Sequence, residues 1–235
     1  NTIAKHMKHL KRHINIAINK EYIEIQKYAF RKYKIKTVEN KHTHLVPEEL
    51  EQLERLSLTD KHMKLQKSLD AFLFCCYAGM RYSDFTNLSK KNIVDINQET
   101  WLIYKSVKTG TEVRLPLYLL FAGKGIVILN KYRNNLENFF RLRDNSNINK
   151  DLIIIAKLAG LSKKISFHTA RHTNATLLIY NGVNITTVQK LLGHKSVKTT
   201  QVYTNIMDMT IVHDLEKIKQ AALGIKKKTD NSFNK

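Results

Sequence analysis

The chain of 235 residues carries 40 Lys and Arg against 20 Asp and Glu, a formal net charge of +20, and 43% of its residues are apolar. A chain of this length and composition can bury a substantial core, and so large an excess of cations favours a polyanionic partner, whose phosphates release counterions when neutralised. No apolar run approaches the roughly 18 residues of a membrane span, and the basic residues are spread along the chain rather than gathered on one amphipathic helix, so no membrane partner is expected.

Cys75 and Cys76 are the only cysteines and are adjacent in an apolar stretch. That excludes a disulfide framework and a four-cysteine zinc site, and it implies a reducing, cytoplasmic compartment. The sequence starts at Asn1 with neither a signal-like segment nor an initiator Met, so a native N-terminus further upstream is expected.

In chain order, Ile3, Met7, Leu10, Ile14, Ala17 and Ile18 mark one face of an amphipathic helix within Thr2 to Ala29, with Lys, Arg and His on the other face. Arg31 to His44 is charged, Gly-free and aperiodic, which predicts a linker. Pro47, Glu48 and Glu49 suit the first turn of a helix. A further helix is predicted from Lys61 to Ala78, with Gly79 as its stop and Arg81 directly beyond. Trp101 to Tyr104 and Glu112 to Leu117 have strand composition, and Thr109-Gly110 between them has hairpin chemistry, which places Lys108 close to the tip.

Helical periodicity returns at Val127 to Phe140, near Leu152 to Ala159, and from His168 to Tyr180, where Asn181-Gly182 breaks it. Ile185 to Leu192 predicts a short helix ended by Gly193, and Ser196 can cap a final helix carrying Val202 and Tyr203. Ile211 to Ile225 has a helical apolar-plus-basic pattern, and the residues around Lys226 to Lys228 predict a mobile tail. No internal repeat is visible. The elements together predict a mainly α fold with a small antiparallel β-sheet.

Phe167 to His172 is the densest cluster of reactive side chains. On a helix His168 shares a face with both Arg171 and His172. The His-x-x-x-His spacing also matches a zinc protease helix, but Thr169 stands where that motif needs its general-base Glu. Arg171 offers a rigid fork of donors for two phosphate oxygens, and His168 can exchange a proton near neutral pH. Alone, these residues read more readily as polar groups on a solvated helix face, and Tyr203 as a core tyrosine.

Taken in order, Arg81, Lys108, His168, Arg171, His194 and Tyr203 resemble the catalytic set of the tyrosine recombinase, or phage integrase, family. Ala78-Gly79-Met80-Arg81-Tyr82-Ser83-Asp84 looks like the family's first arginine box, Val107-Lys108-Thr109-Gly110 its lysine hairpin, His168 to His172 its His-x-x-Arg-His box, and Leu191 to Tyr203 the run from Leu-Gly-His to the nucleophile. The likeness spans roughly Leu45 to Lys217, and its wording is closest to integrases of phages and conjugative transposons. Four boxes in order are a specific signal where one is weak.

The resemblance implies the architecture of a tyrosine recombinase catalytic domain over 45–217. It is preceded by the last helix of a truncated core-binding domain over 1–30 and a linker over 31–44, and followed by a tail over 218–235 that docks on a neighbouring subunit. It implies attack of the Tyr203 hydroxyl on a DNA phosphodiester, a 3′-phosphotyrosyl intermediate and a free 5′-hydroxyl, with neither metal nor cofactor.

Arg81 and Arg171 are then expected on the nonbridging oxygens, His194 as a further donor, His168 as the group that helps deprotonate Tyr203, and Lys108, rather than its rival Lys105, as the acid for the leaving oxygen. Asp84 and Thr173 are expected to orient the arginines or the helix, and His172 to be a buried polar anchor or else a direct contact. The implied partner is double-stranded DNA, bound by a tetramer on paired sites with room for accessory DNA-bending proteins. The alternatives are strand nicking of the type IB topoisomerase kind and a non-catalytic DNA-binding regulator.

Overall fold

Helix α1, Thr2–Asn19, ends well short of Ala29 because the chain closes on itself there. The Tyr22 N–H reaches back to the Ala17 carbonyl at 2.9 Å and Glu21 takes φ 60, which is a Schellman-type closure. The computed structural model describes residues 1–37 and 42–206, and the chain divides into two units, Asn1–Lys41 and His42–Lys235. In the first, Phe30 is buried and sets its ring against Tyr28 and Tyr33. The segment Ile211 to Ile225 and the expected tail lie outside the described residues.

The second unit is built around α3, Gln66–Ala78, in which every side chain from Ser68 to Ala78 is buried. A helix apolar on all sides must sit inside a domain. Here α3 packs against α8, Phe167–Tyr180, which is itself buried from Thr169 to Leu178. Phe74, Phe85, Phe139, Phe140 and Phe167 meet edge-on or tilted beside it, the arrangements that ring quadrupoles favour. Around this pair lie α2 (Pro47–Glu54), α4 (Tyr82–Phe85), α5 (Lys124–Lys131), α6 (Leu136–Phe140), α7 (Asn145–Leu158) and α9 (Ile185–Leu192).

One antiparallel sheet completes the unit, with β1 (Ile93–Ile96), β2 (Glu99–Lys105) and β3 (Glu112–Pro116) in the order β1-β2-β3. The fold is thus mainly helical with a small antiparallel sheet, as expected. The β2–β3 register sets Tyr104 opposite Val113 and Lys105 opposite Glu112, so the turn runs from Ser106 to Thr111 and carries Lys108. Ser106 N–H donates to the Thr111 carbonyl and Gly110 N–H to the Ser106 carbonyl, both at 2.8 Å.

Other elements also differ from expectation. The helix expected from Lys61 is 3₁₀ over Asp60–Leu65 and α only from Gln66. The span Val127 to Phe140 is two helices, parted where Tyr132 leaves helical geometry and Asn135 caps α6 through the Asn138 N–H. The final helix is not α: Ser196 does cap, accepting from the Lys198 N–H, but the chain then makes 3₁₀ turns at Val197–Thr199 and Gln201–Ile206, and Tyr203 stands on the second. Strand β1 was not foreseen at all.

Candidate active site

Arg171 is the largest of the fully buried side chains, with 1% of its surface exposed. A buried guanidinium needs partners for its donors and its charge, and among the described residues no carboxylate bonds to it directly. Nη1 donates to the Gly79 carbonyl at 2.8 Å and Nη2 to the Leu192 carbonyl at 2.6 Å. Both oxygens stand at helix C-termini, those of α3 and α9, where the peptide dipoles concentrate negative potential. Burial, then repulsion from Arg81, lowers the Arg171 pKa to about 10, so it remains a cation at neutral pH.

Both helices end on a left-handed glycine, and side-chain space is closed at each. A Cβ on Gly79 would stand 2.6 Å from Asn174 Oδ1, and one on Gly193 2.6 Å from Val113 Cγ2. Asn174 also donates to the Cys76 and Tyr77 carbonyls at 2.9 Å, which ties the end of α3 to α8. Thr169, the residue at the would-be glutamate position, does structural work: its hydroxyl oxygen accepts the Ser166 N–H at 3.0 Å and closes the first turn of α8.

Arg81 and Lys108 are joined through Asp84. The buried Asp84 carboxylate accepts the Val107 N–H at 2.8 Å, the Ser106 hydroxyl at 3.3 Å and Arg81 Nη1 at 3.4 Å. Arg81 Nη1 also donates to Ser106 Oγ at 3.2 Å. One carboxylate therefore orients the arginine and pins the base of the hairpin. The other side of the hairpin is held by Thr109, whose hydroxyl donates to the Gly193 carbonyl at 3.1 Å. Lys108 is exposed in this turn, close enough to His168 and His194 for its charge to depress both pKa values. Lys105 stays in strand β2, paired with Glu112.

The nucleophile candidate lies in the field of two of these cations, Arg171 and Arg81. Tyr203 is buried, with its hydroxyl 3.1 Å from His172 Nδ1. Burial raises its pKa against the opposing pull of Arg171 and then Arg81. His172 is held at about 3 by burial and by His168, and His194 at about 3 by burial and by Arg171. His168, also lowered by desolvation and Arg171, is exposed and stands edge-on to His172 at 4.4 Å between ring centroids. His42 lies against the same imidazole at 4.5 Å. His194 Nδ1 is 2.9 Å from Thr200 Oγ1.

All six residues expected to do chemistry thus gather at one place. His172 is buried and in direct contact with Tyr203, while His168, the residue expected to help deprotonate the tyrosine, stands edge-on to His172. Thr173 accepts the Leu45 N–H and donates to the Thr169 carbonyl, both at 2.9 Å, so it anchors the incoming chain to α8 rather than an arginine. Sequence reasoning missed Ser106, Asn174, Thr200 and His42. Thr200 was visible only as one of several polar neighbours of Tyr203, and the other three carry no local signal. Among the described residues no group of three or more His, Cys, Asp or Glu could hold a metal ion, and no helix is long and apolar enough to cross a membrane.

Two arginines, a hairpin lysine, three histidines and a buried tyrosine are thus brought together in one helical domain. The chain belongs to the phage integrase family, whose family model matches residues 43–209. It is similar to the tyrosine recombinase XerC of Rickettsia prowazekii, 30% identical over 159 residues that make up 64% of this chain and 49% of that protein. It is also similar to a tyrosine recombinase of Pseudothermotoga lettingae, 30% identical over 181 residues, 75% of this chain and 60% of the relative. The chain spans about half the length of the curated relatives it matches.

Among solved structures, XerA recombinase superposes over 91% of this chain and 82% of its own with a TM-score of 0.59 at 22% identity. A lambda integrase tetramer bound to a Holliday junction does so over 83% and 56% with a TM-score of 0.64 at 19% identity. The fold is shared with both.

Proposed function

We propose that this chain is the part of a site-specific DNA recombinase that cuts and rejoins strands through a 3′-phosphotyrosyl intermediate. The observation that carries the reading is the buried Tyr203 hydroxyl, 3.1 Å from His172 Nδ1 and in the field of Arg171 and Arg81. Tyr203 Oη attacks the phosphorus of a DNA phosphodiester, the bond to the 5′-oxygen breaks, and Lys108 protonates that oxygen as it leaves. A 5′-hydroxyl from a partner strand reverses the step. The tyrosyl ester conserves the phosphodiester bond, so no nucleotide is consumed.

The burden is the charge on the pentavalent phosphorane, which cations fixed in advance stabilise better than water does. Arg81 and Arg171 take the nonbridging oxygens and His194 adds a donor. The Tyr203 proton leaves toward His172, and His168, exposed beside it, is the route to solvent. A histidine this depressed is a weak base in the free protein. An arriving phosphate offsets the cations and raises it toward the working range.

Residues 45–217 form the catalytic domain in this reading, with 1–30 the end of a core-binding domain, 31–44 the connection and 218–235 a tail that serves assembly. The division after Lys41 supports it. The partner is double-stranded DNA, in keeping with the net charge of +20. A tetramer on paired sites is the working assembly, as in the lambda integrase neighbour solved on a Holliday junction, and accessory DNA-bending proteins fit the same scheme.

The test is a nicked duplex carrying the attachment sequence taken from the DNA that flanks the gene. Cleavage next to the nick releases a short strand and traps the covalent complex. A protein–DNA adduct on a denaturing gel, mapped by mass to the peptide holding Tyr203, is the expected result. DNA binding without an adduct from the wild type would overturn the reading and leave a binding module. Relaxation of supercoiled plasmid by the unpaired protein, with no exchange between sites, would point to topoisomerase-like nicking.

A further inference from the structure

We infer that Thr200 is a positioning residue: it sets which nitrogen of His194 carries the proton and ties that choice to the turn that bears Tyr203. The inference rests on the cleavage site proposed above. Thr200 is wholly buried, and its hydroxyl lies 2.9 Å from His194 Nδ1. Its backbone joins the two neighbouring turns, since its N–H donates to the Val197 carbonyl at 2.7 Å and its carbonyl accepts the Tyr203 N–H at 3.1 Å. His194 is fixed from the other side as well. Its N–H donates to the Gln189 carbonyl and its own carbonyl accepts Gln189 Nε2, both at 3.0 Å.

The chemistry follows from the charge on His194. Burial first, then Arg171, Arg81, His168 and Lys108, lowers the pKa of this ring to about 3, so the imidazole is neutral at neutral pH. A neutral imidazole has one N–H and one lone pair. If Nδ1 carried the proton, it would donate to Thr200 and Nε2 would turn a lone pair toward the anionic phosphate. If Thr200 donates to Nδ1, Nε2 carries the proton and becomes a donor for a nonbridging oxygen. The hydroxyl can rotate to either role, but only the second serves an anion. The hydrogen bond made by one ring nitrogen sets what the other can do.

The same residue accepts the Tyr203 N–H, so a shift of the nucleophile's turn moves Thr200 and with it the partner of His194. The phosphate donor and the nucleophile therefore assemble together. This explains why a small hydroxyl residue is buried in a turn otherwise made of exposed and half-buried side chains.

The test uses the full chain with 15N-labelled histidine, with the His194 resonances assigned by their loss in His194→Gln. Two-bond spectra are expected to show His194 as the Nε2–H tautomer in the wild type and in Thr200→Ser. Thr200→Val keeps the shape and removes the hydroxyl, and it is expected to shift His194 toward the Nδ1–H form. On the nicked duplex, Thr200→Val is expected to slow single-turnover adduct formation by about ten- to a hundredfold with affinity within about twofold, and Thr200→Ser to restore most of the rate.

Equal tautomers and equal rates in Thr200→Val and wild type would overturn the inference. So would a slow rate that Thr200→Ser does not rescue in a folded protein. If the wild type forms no adduct, the recombinase reading fails, while the tautomer comparison still decides the role of Thr200.

Discussion

Arg171 and Tyr203 face the same space, yet they are held in opposite ways. Arg171 sits on a central helix, and its donors end on backbone carbonyls of two further helices whose terminal glycines leave no room for adjustment. Tyr203 sits on a 3₁₀ turn held by the side-chain contacts His172–Tyr203 and His194–Thr200 and by short-range backbone bonds. The cation platform is part of the core, and the nucleophile is clipped onto it. In the proposed reaction, catalysis by preorganised charge asks for rigidity in the first, whereas a tyrosine that forms and breaks a covalent bond with DNA needs an attachment that is cheaper to disturb.

The largest effects should therefore come from the platform. Arg171→Ala leaves the Gly79 and Leu192 carbonyls buried without donors, at about 1–3 kcal/mol each, and opens a cavity. Urea denaturation is expected to show a loss of about 3–5 kcal/mol together with loss of cleavage. Tyr203→Phe, by contrast, strands only His172 Nδ1 and should cost about 1–2 kcal/mol and leave DNA affinity unchanged, while the covalent adduct disappears. Comparable stability losses in the two variants would break the distinction between platform and clip.

Gly79→Ala probes the platform without touching a charge. At φ +66 with Asn174 Oδ1 2.6 Å from the new Cβ, it combines backbone strain with a forced shift of Asn174, and about 2–3 kcal/mol is expected. The cleavage rate should fall as well, because the Gly79 carbonyl orients Arg171. A variant that is destabilised yet cleaves at the wild-type rate would show that this carbonyl is dispensable for aiming the guanidinium.

The buried histidines give the comparison a pH dependence. His172 and His194 are held near 3 in the folded chain, against an ordinary value of 6.5. Above pH 6.5 both states are neutral and nothing is lost. Below it the unfolded chain binds protons that the folded chain refuses, so stability falls with pH toward about 3. The slope is at most about 1.4 kcal/mol per pH unit for each histidine. His172→Phe is expected to remove one histidine's share, seen as a flatter plot of denaturation midpoint against pH between 6 and 4. An unchanged slope would mean that His172 is already protonated in the folded protein. His168 is exposed, and solvent screening keeps its share of this slope small.

What the sequence made legible follows the same division. The platform could be read because its signals are local: Gly79 and Gly193 as helix stops, Asn181-Gly182 as a break, Thr109-Gly110 as a turn. Strand β1 escaped because it is four residues long and enters β2 through Asn97-Gln98, both at positive φ (54 and 67). That is a left-handed two-residue turn without the glycine that usually marks one. The 3₁₀ geometry around Tyr203 escaped because the expected helix rested on the Ser196 cap alone, while Val197 to Ile206 is rich in β-branched residues that favour a regular α-helix poorly. His168 and His172 share a helix face, so spacing could not say which imidazole meets the tyrosine. Only the packing of Tyr203 against α8 does.

The smallest expected effect concerns Ser106, where platform and hairpin meet. Its hydroxyl accepts Arg81 Nη1 at 3.2 Å and donates to Asp84 at 3.3 Å, and its side chain is buried. Ser106→Ala removes both contacts, yet Asp84 still accepts the Val107 N–H at 2.8 Å and Arg81 at 3.4 Å. Neither the carboxylate nor the guanidinium is stranded, and a stability loss of only about 1 kcal/mol is expected. Among the described residues, Arg81 would keep its longer Asp84 contact alone, and the hairpin base would lose one of its two ties to that carboxylate. Cleavage should then slow by about three- to tenfold as Arg81 and Lys108 become less well aimed, with DNA affinity nearly unchanged. If affinity falls as much as the cleavage rate, Ser106 supports ground-state phosphate binding, and the hairpin belongs with the fixed platform rather than with the parts tuned for the transition state.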